Sequence, residues 1–414
     1  TDEIKHSIRL LGESNRFDFV ITEIGGTVGD IESLPYIEAI RQLRWEMGNN
    51  CVVIHLTLVP YLAAAKELKT KPTQHSVKTM LEYGVQPDIL VCRTEKPLNH
   101  QLRSKIALFC NVSVEDVIES IDTDSIYRVP LLMREEKLDL RVLIKSKMGT
   151  ESVADLTGWE EFVHRLQNPE CSATIALVGK YVELVDAYKS IIESIVHAGA
   201  RNKCKIDLKM IHSEKINTEN VGAMLQGISG IIVAPGFGER GIDGKIAAIN
   251  YARTQKVPFF GICLGMQCAM VEFARNVLML NNAHSTEMLP TTPHPVIDLM
   301  DEQKKVSVKG GTMRLGSYQC DLKPDSLSAK IYGKETIFER HRHRLEFNNK
   351  YLDLFQQNGM IAVGKNPDSN LVEIMELKDH PWFVGVQFHP EYNSTVANPH
   401  PLFVDFISAA LKNQ

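Results

Sequence analysis

The chain has 414 residues, 44% of them hydrophobic and 23% charged, a composition that excludes disordered, collagen-like and coiled-coil classes. At roughly 150 residues per domain the length predicts two or three domains, each able to bury its own core. A net charge of −5 removes any general attraction to nucleic acid or an anionic membrane, and neither is expected as a partner. The eight cysteines, at 51, 92, 110, 171, 204, 263, 268 and 320, form no C-x-x-C pair. Reduced thiols in a cytoplasmic protein are therefore expected. The opening TDEIKHSIRLLGES is charged and amphipathic, unlike a signal peptide. The longest apolar stretch, 51–65, is broken by His55, Thr57 and Pro60 and is too short to span a bilayer.

In chain order, residues 1–148 alternate strand-like and helix-like segments. FDFVIT (17–22), CVVIHLTLV (51–59) and DILVC (88–92) read as strands buried on both faces. Helices are predicted over 33–47, 75–83 and 101–109, and this order implies a parallel sheet. Residues 149–171 are more polar and read as an interdomain linker, with room for a short helix around 159–165. In 172–414 strands are predicted at ATIALVG, KIDLKMI, GIIVAPG and VPFFGIC, separated by helices over 187–200, 219–226 and 241–255. The expected fold class is α/β, with two doubly wound, mostly parallel-sheet domains.

The first half offers two candidate sites. In ITEIGGTVGDIES, Gly25, Gly26 and Gly29 free backbone N–H groups to approach phosphate, and Glu23, Asp30 and Glu32 could ligate Mg²⁺. A Gly-rich turn before a helix capped by Asp30 or Ser33 accounts for the same letters equally well. It is not a P-loop, since G-x-x-x-x-G-K-[ST] occurs nowhere in the chain. In KELKTKPTQHS, Lys69 and Lys71 with nearby hydroxyls and the Gln74 amide could clamp a triphosphate, although a surface charge run is the plainer reading.

The second half carries a nucleophile signature. VPFFGICLGMQ has the form strand, Gly261-Ile262-Cys263-Leu264-Gly265, helix, as in a nucleophile elbow. Glycines two before and two after permit a sharp turn, and the helix N-terminus favours an anion at Cys263. Alone, the pattern also fits a buried core cysteine. Downstream, WFVGVQFHPEYNST reads as a strand whose His389 and Glu391 share a face, so the carboxylate can orient the imidazole. Together they predict a Cys263–His389–Glu391 acyl-transfer triad. In Ala234-Pro235-Gly236-Phe237-Gly238, the Gly236 N–H is a candidate oxyanion donor, with the Leu264 N–H as the second.

On these residues the second half resembles class I glutamine amidotransferase domains, in which the cysteine attacks the glutamine carboxamide and releases ammonia. The resemblance implies glutamine contacts from Phe237, Gln267, Glu287 and, through a bidentate bond to the carboxylate, Arg342 in ERHRHRLEFN. The order EIGGTVGDIES, KTKPTQHS, CRTEKPLNHQLRSKIALFCNV, DSIYRVP in turn resembles the synthetase domain of the CTP synthase family. That resemblance covers essentially the whole chain. It implies amination of UTP to CTP, with ATP phosphorylating the 4-oxygen and ammonia displacing the phosphate. It further implies Glu23 as a Mg²⁺ ligand; Asp30, Glu32, Lys69, Lys71, Gln74 and Lys105 as UTP or CTP contacts; and Asp122 as an ATP contact. Lys180, Tyr181 and Lys189 match a region linked to activation by GTP, CTP is implied as feedback inhibitor, and a homotetramer able to form filaments is expected.

Three departures stand out. The family's P-loop and first Mg²⁺-binding Asp are expected upstream of the segment that opens this chain. The oxyanion segment reads A-P-G-F-G where the family has P-G-G-F-G, so Pro235 stiffens the preceding turn. The stretch 301–309 is shorter than the family's lid loop, which weakens the expectation of GTP activation. The alternative readings are an amidotransferase serving another acceptor and an assembly subunit that retains an inactive amidotransferase fold.

Overall fold

The structure, a computed structural model, describes residues 1–13, 16–150, 154–299 and 313–413. Two units divide the chain, Thr1–Glu160 and Glu161–Gln414. The first runs through α1 (Asp2–Glu13), α2 (Leu34–Met47), β1 (Ile54–Val59), a hairpin of β2 (Tyr61–Leu62) and β3 (Glu67–Leu68), and α3 (Lys71–Glu82). It continues through β4 (Ile89–Thr94), α4 (His100–Cys110), β5 (Val117–Ile121), α5 (Val129–Glu135) and α6 (Leu138–Lys145). β1, β4 and β5 form a parallel sheet in the order β1-β4-β5. The central strand β4 is buried on both faces, as a parallel strand between helices should be.

Three expectations fail here. Residues 17–22 form no strand, and Phe17, Phe19 and Ile21 are exposed. An apolar run becomes a strand only where a neighbour takes up its N–H and C=O groups, and none does among the described residues. β1 is covered on one face only, by α3: Thr73 Oγ1 donates to the Leu58 carbonyl at 3.0 Å and His55 Nε2 meets Ser76 Oγ at 2.9 Å. The outward face of β1 carries Ile54, Leu56 and Leu58, all exposed. α3 also begins at Lys71 rather than 75, because Pro72 suits the first helical turn. Asp116, fully buried before β5, is held by Arg141 and Lys145 of α6 at 2.7 and 2.6 Å.

α7 (Thr157–Gln167) lies in the stretch expected to link the halves; residues 151–153 of that stretch are outside the described residues. The second unit continues with β6 (Cys171–Gly179), α8 (Lys189–Arg201), β7 (Cys204–His212), α9 (Val221–Met224), β8 (Gly230–Val233), α10 (Ile242–Gln255), β9 (Phe259–Ile262) and α11 (Leu264–Asn276). Then come β10 (His284–Ser285), β11 (Pro295–Asp298), β12 (Arg314–Leu322), α12 (Leu327–Tyr332), β13 (Thr336–His343), β14 (Glu346–Phe347) and α13 (Leu352–Gln357). β15 (Met360–Lys365), β16 (Val372–Leu377), β17 (Phe383–Val386) and α14 (Pro401–Lys412) complete it. β10, β11 and β14 make a small sheet of their own. The 301–309 stretch lies outside the described residues.

The main described sheet has nine strands in the order β13-β12-β15-β16-β17-β9-β8-β6-β7. β17, β9, β8, β6 and β7 are mutually parallel, and the other four join antiparallel beyond β17. Alternation along β9 explains the two cores: Phe259 stacks on Phe383 at 4.3 Å on one face, while Phe260 meets Trp382 edge-on at 5.5 Å on the other. Among the described residues no helix is long and apolar enough to cross a membrane.

Candidate active site

In the second unit, β9 ends at Ile262 and α11 begins at Leu264, leaving Cys263 alone in the turn with φ 51° and ψ −104°. The flanking glycines are sterically required. A Cβ at Gly261 would sit 2.9 Å from the Gly265 carbonyl carbon, and one at Gly265 would sit 2.2 Å from the Val233 carbonyl oxygen. The Cys263 N–H donates to the Val386 carbonyl at 2.7 Å, tying the elbow to the end of β17.

His389 and Glu391 lie beyond β17, not on it, because the strand stops at Val386 and Pro390 opens a 3₁₀ turn that contains Glu391. The shared strand face predicted for them is therefore not the geometry. The turn nonetheless folds the carboxylate back, and His389 Nδ1 meets Glu391 Oε1 at 2.8 Å. With Nδ1 donating there, His389 Nε2 meets no nitrogen or oxygen partner among the described residues and is left to interact with the Cys263 sulfur. Cys263, His389 and Glu391 all line one cavity of about 300 Å³. Burial opposes charge on His389, but the Cys263 sulfur and the Glu391 carboxylate outweigh it and raise the imidazole well above its usual range.

Pro235, Gly236 and Phe237 line the same cavity. Gly236 faces Leu264, whose Cδ2 would lie 3.8 Å from a Cβ there. This loop is held at both ends by buried lysines. Lys245 of α10, fully buried, donates to the Ala234 carbonyl at 2.7 Å, and burial pushes its ammonium down to about 8. Lys180, at the end of β6, donates to the Phe237 carbonyl. Of the three implied GTP contacts, Lys180 is buried and engaged inside its own domain. Tyr181 and Lys189 do line the cavity, Lys189 pairing with Glu193 at 2.7 Å.

Arg342 lines the cavity as well. The other two implied glutamine contacts are not brought there. Gln267 is buried, with its Nε2 donating to the Leu345 carbonyl at 3.0 Å and to Gln387 Oε1 at 3.1 Å. Glu287 is exposed and is not among the lining residues. Sequence reasoning also passed over Gln387, Lys245, Asp186 and Tyr392. Asp186 and Tyr392 line the cavity, and the Tyr392 ring stacks on His389 at 5.5 Å. A signal existed for two of them: a lone Gln in FVGVQF and a lone Lys in KIAAI are polar residues in wholly apolar runs, so each needs a buried partner.

In the first unit several candidates follow the carboxyl ends of the parallel strands, where open α/β sheets bind ligands. Lys69 and Lys71 come after β1; Lys69 pairs with Glu67, and the Lys71 ammonium lies 5.9 Å from the centre of the Phe109 ring. Gln74 is buried, and its amide donates to Thr70 Oγ1 at 3.1 Å. Asp122, directly after β5, pairs with Arg93 at 2.8 Å. Lys105 is exposed in the middle of α4. Glu23, Asp30 and Glu32 are exposed in the glycine-rich segment, where Gly26 and Gly29 have φ of 87° and 108° and the Thr27 N–H donates to Asp30 Oδ2 at 3.3 Å. Among the described residues no three His, Cys, Asp or Glu side chains come together to hold a metal, so Glu23 by itself does not make a Mg²⁺ site.

Residues 1–148 match a family model described as CTP synthase N-terminus, and residues 183–409 match one described as glutamine amidotransferase class-I. The CTP synthase of Cytophaga hutchinsonii is 62% identical over 411 residues, covering 99% of this chain and 76% of that protein. The CTP synthase of Flavobacterium johnsoniae is 60% identical over 412 residues, with 99% and 77% covered. Among solved structures, the glutaminase domain of Trypanosoma brucei CTPS with bound acivicin is 35% identical. It superposes with a TM-score of 0.55, over 58% of this chain and 95% of that one.

Proposed function

The chain belongs to the CTP synthase family and is a glutamine-hydrolysing ligase that aminates UTP to CTP; on that premise we propose how its residues divide the work. Cys263 is the nucleophile, His389 its acid–base partner and Glu391 the group that orients His389. The observation that carries this reading is the convergence of the three on one cavity, with Nδ1 of His389 held by Glu391 and Nε2 left to interact with the Cys263 sulfur. The Cys263 sulfur adds to the glutamine carboxamide carbon, and the N–H groups of Gly236 and Leu264 receive the oxyanion. Collapse of the adduct expels the amino group, which takes a proton from His389 and leaves as ammonia. Water, losing its proton to His389, then hydrolyses the thioester to glutamate and free Cys263.

Arg342 binds the glutamine carboxylate, and Phe237 covers the substrate. In the first domain ATP phosphorylates the UTP 4-oxygen, and ammonia displaces the phosphate. Lys69 and Lys71 take the UTP phosphates, Lys105 adds a further charge, and Asp122 approaches ATP. Asp30 and Glu32 sense the pyrimidine of UTP or of the inhibitor CTP. Glu23 would offer one carboxylate to Mg²⁺, which would supply neutralisation of the ATP phosphate charge. The domain limits proposed are 1–148 and 172–414. GTP activation is assigned to Tyr181 and Lys189, while a tetramer, filaments and a cytoplasmic location complete the reading.

The test is direct. The protein is supplied with UTP, ATP and Mg²⁺, with glutamine in one arm and ammonium in the other, and CTP is assayed. Product in both arms, lost only from the glutamine arm in Cys263→Ala, is the expected result. Glutamine hydrolysis without CTP in either arm would return the acceptor to question.

A further inference from the structure

Gln387 lies between the end of β17 and His389 and is fully buried. Its backbone N–H donates to the Glu373 carbonyl at 2.9 Å, which fixes the main chain. Its side-chain Nε2 is 3.6 Å from Cys263 Sγ, within reach of a hydrogen bond to sulfur. Its Oε1 accepts from Gln267 Nε2 at 3.1 Å.

The direction of this amide follows from its neighbours, even though an amide's O and N are assigned rather than seen. The Leu345 carbonyl can only accept, and it meets the Gln267 amide at 3.0 Å, so Gln267 must present its NH₂ at that end. The same NH₂ faces Gln387, which must therefore present its oxygen. That leaves the NH₂ of Gln387 pointing at the sulfur. The reversed amide would set two NH₂ groups against each other and aim an oxygen at Cys263. The Leu345 carbonyl is itself anchored by His343 Nδ1 at 3.2 Å.

We propose that Gln387 acts in glutamine hydrolysis by donating an N–H to the Cys263 sulfur, with Gln267 and the Leu345 carbonyl fixing the amide's direction. The inference rests on Cys263 being the nucleophile. It gives Gln267 an internal role, which explains why a side chain expected to touch substrate is buried away from the cavity. A neutral donor suits this position: it stabilises a charged sulfur and adds no charge to compete with His389. The other titratable groups near the sulfur are His389, with Glu391 behind it, and Lys245 and Cys268 from α10 and α11.

The test compares the parent with Gln387→Met, which keeps side-chain length and removes the donor. Alkylation by iodoacetamide of Cys263, which lines the cavity, is followed across pH by peptide mass spectrometry, so that reaction at the exposed Cys171 is counted separately. Loss of one hydrogen bond to a charged group predicts about tenfold slower alkylation on the rising limb of the profile, which moves to higher pH. Thioester formation from glutamine slows by a similar factor with little change in KM, as for an interaction made to the reacting atom. Gln267→Met, which frees the Gln387 amide to turn, moves the profile in the same direction by less. A folded Gln387→Met whose profile overlays that of the parent overturns the proposal. If that variant does not fold, an unmoved profile in Gln267→Met overturns it instead. Glutamine hydrolysis surviving in Cys263→Ala would fail separately, by removing the nucleophile on which the proposal rests.

Discussion

Adding a single methyl group at Gly265 tests the elbow geometry most sharply. A Cβ there would stand 2.2 Å from the Val233 carbonyl oxygen and 3.0 Å from its carbon, both backbone atoms that no rotamer change can move. Clearing the contact requires a separation of about 0.8 Å between the start of α11 and the end of β8. Those two ends carry opposite halves of the reacting centre: Cys263 and the Leu264 N–H on one side, and the loop with Gly236 on the other. Displacements of about 1 Å at a reacting centre cost about 10²-fold in rate, so Gly265→Ala should lower glutamine hydrolysis by that order. Overpacking in a buried segment costs about 1–3 kcal/mol, which is several degrees of Tm for a domain of this size. The assay pairs the steady-state rate of glutamate release with a thermal melt. A folded Gly265→Ala with parental glutaminase activity would refute the claim that the glycine spacing sets the nucleophile against the oxyanion donors.

Other predictions follow from the same geometry. Glu391→Gln removes the carboxylate holding His389 Nδ1 at 2.8 Å, so glutamate release should fall by about 10²-fold or more and the imidazole should titrate at lower pH, read from the pH profile of the rate. Cys263→Ala should abolish glutamine-dependent CTP formation while ammonium still supports it, and loss of both activities in a folded variant would contradict the two-site division. Burial, only partly offset by Arg314, raises Glu373 to about 7 from its usual 4.5. The folded protein then holds a proton that the unfolded chain has lost, so this group's contribution to stability declines as pH rises from 4.5 through 7 and levels off above. The loss amounts to about 3 kcal/mol at most. The Tm difference between Glu373→Gln and parent should therefore shift in the variant's favour across that window. Burial holds His341 and His343 down at about 2 and about 3, and their trend with pH runs the opposite way.

The elbow was legible in the sequence because its requirement is local: glycines at 261 and 265 around Cys263 are needed wherever a strand turns this sharply into a helix. The His389–Glu391 pairing was legible from spacing but for the wrong geometric reason, since Pro390 ends the extended run and a 3₁₀ turn does the work assigned to a strand face. What the sequence could not convey is where long-range partners lie. Lys180 and Gln267 are implied as ligand contacts by the family resemblance, and no local pattern conveys that each is engaged by a carbonyl 57 or 78 residues away. The 17–22 run shows the same limit for folds. Its letters specify an apolar strand, but strand formation depends on a neighbour that no local pattern describes.

The run ERHRHR makes the point in one element. Read as composition it is a basic, solvated segment, but as β13 it alternates strictly, with Glu339, His341 and His343 buried and Arg340 and Arg342 exposed. The period of two sorts the letters by chemistry. The permanently charged guanidinium groups stay at the surface, where Arg342 reaches the cavity, and the groups that can exist uncharged go inside. His341 and His343 meet at 2.8 Å, Nδ1 to Nε2, a contact that requires at least one neutral ring. The inward Glu339 is not left alone: it accepts from the Tyr332 hydroxyl at 2.8 Å and from Asn393 at 2.7 Å, and it pairs with His400 at 2.8 Å. Asn393 closes the 3₁₀ turn that carries Glu391. One strand thus presents a substrate-facing arginine outward and anchors the triad's carboxylate turn from within. An Arg at 341 or 343 would set a second permanent charge beside Arg314, which already pairs with Glu373 and Glu346 behind this strand, so the alternation of the run is a condition of the site and not only of the sheet.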